Sequence, residues 1–380
     1  MDLPLDYETL KVIWWALVGV LLIGFALTDG YDLGAATLLP FVAKEDRERR
    51  LVINSIGPTW EGHQVWFITG GGALFAAWPF VYAISFSGFY LAMFVVLAAL
   101  ILRPVGFKYR SKRESAVWRG SWDWALFTGG FVPALIFGVA LGNVLQGVPF
   151  TIDSQLRATY QGGLLGLLNP FALLCGFISV AMLVMHGGAY LSSKLEAGPV
   201  QDRAVAFGRI AAGAVIALYA AAGVWLWLGV AGYHIDGIID PNGAANPLRK
   251  QVSVAVGAWL ENYGRYPWMV AAPVLGFTGA ALAFIGLGRR SWLALAGSGV
   301  AVTGIIASVG ASMFPFILPS SLNPGASLTV WDSSSSHLTL FIMLVATLVL
   351  LPIVLAYTAW VFKVLWGRIG EDEANSPGHY

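Results

Sequence analysis

FITGGGALFAAWPFVYAISFSGFYLAMFVVLAALIL, residues 67–102, contains no charged side chain. The hydrocarbon core of a bilayer is about 30 Å thick, and a helix needs roughly 20 apolar residues to cross it. Backbone N–H and C=O groups in lipid must be bonded internally, so runs this long and this apolar predict helices. A transmembrane barrel would show alternating segments of about ten residues, a pattern not seen here. Val12 to Ala26 is likewise uncharged. Across 380 residues, 57% are hydrophobic and 11% charged. A soluble domain carries about 25% charged residues, so too little polar side chain exists to cover a water-facing surface. The expected fold class is an all-α polytopic membrane protein.

Working outward from residues 67–102, spans are expected near 12–40, 51–73, 78–102, 120–142, 164–191, 210–231, 266–287, 291–315 and 337–362. The second contains Asn54, Glu61, His63 and Gln64 and is the one a hydropathy average could miss. Lys and Arg concentrate in cytoplasmic loops, which tests it. With nine crossings, Lys11, Arg157, Arg249, Lys250 and Arg265 fall on one side and the other 17 of the 22 basic residues on the opposite side. Without the second crossing the same loops split 14 to 8. The larger asymmetry favours nine transmembrane helices, with the N-terminus periplasmic and the C-terminus cytoplasmic. The start, MDLPLDYETLK, carries Asp2, Asp6 and Glu8. A secretory signal has a basic start, so the first run is expected to be a retained helix. The longest non-cytoplasmic loop, about 232–265, holds the turn residues Pro241, Asn242, Gly243 and Pro247. No loop is long enough for a second, soluble domain.

Ionisable side chains inside spans are costly and mark functional candidates or buried pairs. Asp29 and Asp32, in TDGYDLG, are three residues apart and share a helix face. Asp29 lies about 25 Å along the helix from Val12, near the cytoplasmic end of the core. The pair could take up protons or a cation, or could be a polar helix end with a structural partner. In WEGHQVW, Trp60 to Trp66, Glu61 is about 15 Å past Leu51. That places it near mid-membrane, where a carboxyl can exchange protons at neutral pH. Asn54, Glu61 and Gln64 would form one stripe, interrupted by Pro58, which has no backbone N–H. A broken polar stripe suits a water-lined path or a helix interface; Glu61 could also be a merely structural ion pair. Arg103, in RPVGFKYR, could pair with an intramembrane carboxylate, but snorkelling to the headgroups is its default. Asp123 at the start of the fourth span has the same two readings.

Haem iron takes His, often with Met or a second His. Met185 and His186 are adjacent and point to different helix faces, so they make no axial pair. His63 and His186 are expected to be hydrogen-bonded locally, and no metal site is expected. The one cysteine, Cys175, sits in an apolar run and reads as a small buried side chain. GxxxxGK, HExxH and CxxCH patterns are absent. A formal net charge of +1 gives no basic field for nucleic acid.

Six stretches occurring in order resemble subunit II of cytochrome bd-type quinol oxidases. They are IWWALVGVLLIGFALTDGYDLG (13–34), NSIGPTWEGHQVWFITGGGALFAAWP (54–79), SFSGFYLAMFVVLAALILRPVGFKYR (85–110), FGVALGNVLQGVPF (137–150), FPFILPSS (314–321) and SLTVWDSSSSHLTL (327–340). The resemblance covers nearly the whole chain. It implies a single transmembrane domain over 1–380, made of two four-helix bundles, about 12–146 and 164–315, plus a peripheral ninth helix, about 337–362. It also implies a bacterial inner-membrane location and a larger partner, subunit I, that holds haem d and two b haems, oxidises quinol and reduces dioxygen. This chain would ligate no haem. It would support haem assembly and contribute a proton route, without proton pumping. A bound quinone in this subunit and a small single-helix accessory subunit are further implications. By motif, the proton-route residues are Glu61, Asp29, Asp32 and Arg103, with Trp60, Trp66, His63 and Gln64 around them. Glu61 and His63 replace Asp and Asn of the commonest family wording, WDGNQVW, which alters local hydrogen bonding.

Two other function classes remain at this point. A cation-coupled secondary transporter would use Asp29, Asp32 and Glu61 and often shows paired halves, but no repeated half is visible. A purely structural scaffold would need no titratable group in the membrane.

Overall fold

The computed structural model describes residues 3–237, 239–365 and 367–370; Asp2 lies outside them. The helices are α1 (Tyr7–Val42), α2 (Asp46–Ile56), α3 (Trp60–Ala77), α4 (Pro79–Gly88), α5 (Tyr90–Leu100), α6 (Leu102–Tyr109), α7 (Ala116–Gln146), α8 (Pro170–Lys194), α9 (Pro199–Leu228), α10 (Glu261–Arg265), α11 (Ala271–Gly286), α12 (Ser291–Met313) and α13 (His337–Val364). Among the described residues, eight helices are long and apolar enough to cross a membrane. α3 is not one of them, because Glu61, His63 and Gln64 dilute its apolar character. Its 18 residues still reach about 27 Å at 1.5 Å per residue. The expected nine is therefore approximate.

Local chemistry sets the helix ends. Asp6 caps α1, one carboxylate oxygen accepting from Thr9 N at 3.0 Å and the other from its hydroxyl at 2.7 Å. Asn169 caps α8 through Ala172 N at 2.9 Å, with Pro170 in the first turn. The expected continuous span at 51–73 is instead two helices. Pro58 has no N–H to donate, and the chain breaks over residues 57–59 between α2 and α3. The expected span at 78–102 is α4 and α5, interrupted at Phe89, with α6 continuing past Arg103.

α8, α9, α11 and α12 close a ring in which α8 packs on α9 and α12, and α11 on the same two. α1 packs against α3 and α7 and, across the molecule, against α8, while α5 and α6 pack on α7. α13 rests chiefly on α1. The arrangement is two four-helix groups with a peripheral helix, α1 and α7 both meeting α8 along the seam between the groups. Gly34 and Gly187 make that seam close. A Cβ on Gly34 would run into the Leu183 carbonyl of α8, and one on Gly187 into the backbone at Gly34 and Ala35.

Three short antiparallel ribbons fill the loops: Phe150–Ile152 with Ala158–Tyr160, Ala231–Asp236 with Gln251–Val256, and Phe316–Leu318 with Leu328–Thr329. The middle ribbon organises the 232–265 loop, with Ala231 opposite Val256 and Asp236 opposite Gln251. Lys11 fastens this loop layer to α1. Its ammonium donates to the carbonyls of Pro241 and Trp331, both at 2.7 Å, and lies 3.7 Å from the Tyr7 ring centroid. Lys250 pairs with Asp332 at 2.6 Å. Burial pushes the Lys250 ammonium below the usual lysine range, against the pull of Asp332. At the opposite end, Arg110 and Arg49 hold Asp123, and Arg110 and Arg119 hold Asp46. Asp123 is thus a structural ion-pair partner joining α2 to α7.

The seam gives a stability prediction. Gly34→Leu is expected to destabilise the protein by at least about 1–3 kcal/mol, because backbone stands where the side chain must go. Gly19→Leu, at a position where a Cβ meets nothing within 4 Å, is expected to be neutral. Thermal melting of the purified proteins checks both.

Candidate proton-transfer site

The late turns of α1 carry a buried polar cluster. Asp29, Asp32 and Arg103 are fully buried, His63 is 4% exposed and Tyr31 5%. Arg103, in the first turn of α6, clamps Asp29 with two parallel bonds, Nη2 to Oδ1 at 2.8 Å and Nη1 to Oδ2 at 3.0 Å. The planar guanidinium fork matches a carboxylate in this way. Its Nη2 is also 4.0 Å from Asp32 Oδ2. Asp32 Oδ2 lies 2.6 Å from His63 Nδ1, and His63 Nε2 lies 3.3 Å from the Tyr31 hydroxyl. Tyr31 stacks on Tyr190 of α8 with centroids 4.0 Å apart, and Tyr190 donates to the Ser55 carbonyl at 2.6 Å.

Charge arithmetic decides what this arrangement can do. Two carboxylates and one guanidinium sum to one negative charge. The cluster is neutral only when the Asp32–His63 pair carries one proton beyond the N–H of the neutral imidazole. Uncompensated charge in low dielectric is expensive, and a proton added to balance it can be shared by two groups 2.6 Å apart. Around it, Asp32 Oδ1, both Asn54 amide atoms, Trp60 Nε1 and Arg103 Nε are buried with no hydrogen-bond partner among the described residues. Buried polar atoms at such spots suit water-mediated transfer.

The structure brings some of the expected residues together and separates others. Arg103 does not snorkel; it is half of a buried ion pair. Trp60 is buried, its ring 5.4 Å from Phe107 and 5.8 Å from the Arg103 guanidinium carbon. Trp66 packs where Gly24 leaves room on α1, and Gln64 is half-buried. Asn54, Glu61 and Gln64 do not form one stripe. The break at residues 57–59 ends the helical phase after Ile56, leaving Asn54 buried in α2 and Glu61 exposed in the first turn of α3. Glu61 is therefore not ten residues deep in a continuous helix. It presents its carboxyl on the outer face of α3, while His63 points inward. Tyr31, Tyr190 and Ser55 were not singled out by sequence. Tyr31 stands between the two aspartates, and Tyr190 is one turn beyond His186, so helical phase was the signal that could have found them.

His63 Nδ1 is bound to Asp32 and its Nε2 faces Tyr31. His186 Nδ1 lies 2.8 Å from Ser298 Oγ and its Nε2 3.0 Å from the Leu27 carbonyl. His337 Nε2 lies 2.7 Å from the Leu5 carbonyl, and His234 faces Glu261 at 3.1 Å outside the helices. Neither intramembrane ring has a nitrogen free for iron, so these residues do not fit a haem axial site.

Comparison with known proteins gives a consistent picture. The family model for cytochrome bd terminal oxidase subunit II matches residues 10–365. The chain is 48% identical to cytochrome bd-I ubiquinol oxidase subunit 2 of Escherichia coli, strain K12, over 99% of both chains. It is 49% identical to a probable cytochrome oxidase subunit 2 of Haemophilus influenzae, over 99% of both. It is 29% identical to cytochrome bd ubiquinol oxidase subunit 2 of Bacillus subtilis, over 96% of this chain and 98% of the relative. A chain in the structure of the bd oxidase from Geobacillus thermodenitrificans superposes with a TM-score of 0.65 at 15% identity. That match covers 95% of this chain and 98% of the other, a likeness of fold.

Arg103→Leu would leave Asp29 buried without its counter-charge. It is expected to destabilise the protein by about 3–5 kcal/mol, read as a fall in melting temperature. Asp29→Asn combined with Arg103→Leu is expected to recover part of the loss, so the two changes are not additive.

Proposed function

The chain belongs to the cytochrome bd terminal oxidase subunit II family and is a subunit of a membrane quinol oxidase of the respiratory chain, and we propose that its own part there is to carry protons through the Asp32–His63 pair toward the larger subunit. The observation that carries this is the one-proton charge balance of a cluster fully enclosed within the chain. Its partner in the complex is subunit I, and haem chemistry belongs there in this reading. Electrons from quinol and protons meet at the partner's oxygen-reducing centre. This chain also supports haem assembly by packing beside that subunit.

The Arg-rich loops face the cytoplasm, by the distribution of basic residues, so the late turns of α1 lie near that side. Asp29 is held in place by the Arg103 fork. Asp32 and His63 pass the proton between Oδ2 and Nδ1. Glu61, on the outer face of the same helix as His63, is the group that meets the partner. A bare carboxylate facing acyl chains would be costly, so a partner surface on that face of α3 accounts for its placement. Charge is separated because protons are taken from the cytoplasmic side, with no pumping step. Family membership leaves the transporter reading without support.

The test is turnover of the purified two-subunit complex. Asp32→Asn is expected to lower kcat about 100-fold, the lower end of acid–base contributions, at unchanged haem content. Glu61→Gln is expected to lower it in the same direction. Wild-type turnover in Asp32→Asn at normal haem content would overturn the proposal.

A further inference from the structure

One wall of the proton cluster is supplied by the helix with the least attachment to the protein. α13 is held at its two ends. At its start, His337 stacks on Tyr7 with centroids 5.4 Å apart, and its Nε2 meets the Leu5 carbonyl. Past its end, Ile369 N donates to the Lys194 carbonyl at 2.8 Å, and Glu196 N to the Ile369 carbonyl at 3.2 Å. The Lys194 ammonium donates to the carbonyls of Leu365 and Gly367 at 2.7 and 3.0 Å. Between these clips, Leu348, Val349, Ile353 and Val354 are exposed, and Pro352 interrupts the backbone bonding. From the far half one ring reaches inward: Phe362 stacks on His63, with centroids 5.7 Å apart and planes 13° from parallel.

The imidazole is boxed on two sides. Tyr31 meets it edge-on, with centroids 5.3 Å apart and planes at 75°, and Phe362 packs offset and parallel against its other side. Asp32 holds one nitrogen at 2.6 Å, while the second contact, to Tyr31, is a longer 3.3 Å. The longer second bond constrains the ring less than the first, and an aromatic neighbour lying parallel to it limits the motion that remains. The charged and titratable groups around the imidazole are Asp29, Tyr31 and Asp32 on α1 and Arg103 on α6, with Tyr190 and His186 behind Tyr31 on α8. Phe362 is the apolar side of that surround.

We propose that Phe362 is a positioning residue for His63: its ring, delivered by the end-clipped α13, seals the imidazole and keeps Nδ1 directed at Asp32. This rests on the reading that the Asp32–His63 pair carries protons.

The test uses the complete two-subunit complex with Phe362→Ala, Phe362→Leu and Phe362→Tyr. Diethylpyrocarbonate acylates accessible imidazoles, and peptide mass spectrometry locates the product at His63. Labelling of His63 is expected to accelerate about fivefold in Phe362→Ala, the factor set by one aromatic pair, less in Phe362→Leu, and hardly at all in Phe362→Tyr. kcat is expected to fall severalfold in Phe362→Ala at unchanged KM for quinol, and to be restored in Phe362→Tyr. Should the alanine variant not assemble, the leucine variant is read in the same way. A wild-type labelling rate, or a wild-type kcat, overturns the proposal. Asp32→Asn then locates the failure: if it too turns over normally, the proton reading has failed, and if it is slow, only the role of Phe362 has.

Discussion

The two-pronged bond between Arg103 and Asp29 is the constraint on which the rest of this molecule depends. Both side chains are fully buried, so removing either leaves an uncompensated buried charge at a large cost in stability. The pair joins α1 to α6. It also leaves the neighbouring Asp32 with a charge that Arg103, 4.0 Å away, only partly balances. His63 answers that remaining charge from α3. One ion pair thus fixes the meeting of three helices and creates a second, proton-dependent pair next to it.

The architecture protects this cluster on every side for which the chain has material. α1 and α8 approach closely enough at Gly34 and Gly187 to bring Tyr190 onto Tyr31. The break at Pro58 turns α3 so that its first turn offers His63 inward and Glu61 outward. Had α2 and α3 been one straight helix, Asn54 and Glu61 would share a face, and the chain would lack a carboxyl on its outer surface at this level. The helix break gives one segment a buried group on its inner side and a carboxyl on its outer face.

Much of this was legible from residue type and spacing. The uncharged stretch at 67–102 fixes the membrane class, and the helical phase of Asp29 and Asp32 puts them on one face. Family wording singled out Arg103, Trp60 and Trp66. What sequence could not supply was tertiary. The default for an arginine at a helix end is the headgroup layer, and nothing in RPVGFKYR says that a carboxylate waits within reach. Pro58 was visible, yet whether a proline kinks a helix or ends it depends on what packs around it; here it ended the helix and overturned the Asn54–Glu61–Gln64 stripe. Tyr31 and Phe362 are ordinary aromatics in a chain rich in them, and only the fold shows that both rings touch one imidazole.

Family membership accounts for the enzyme this chain serves, and the cluster is where its interior carries ionisable groups. The central claim is that one exchangeable proton is held on Asp32 and His63 and moves during the catalytic cycle. Redox-difference infrared spectroscopy of the whole complex in water and in heavy water tests it most directly. The account predicts a carboxyl C=O difference band that shifts to lower frequency in heavy water and is absent from the Asp32→Asn complex. Identical carboxyl difference spectra in the two complexes would contradict it.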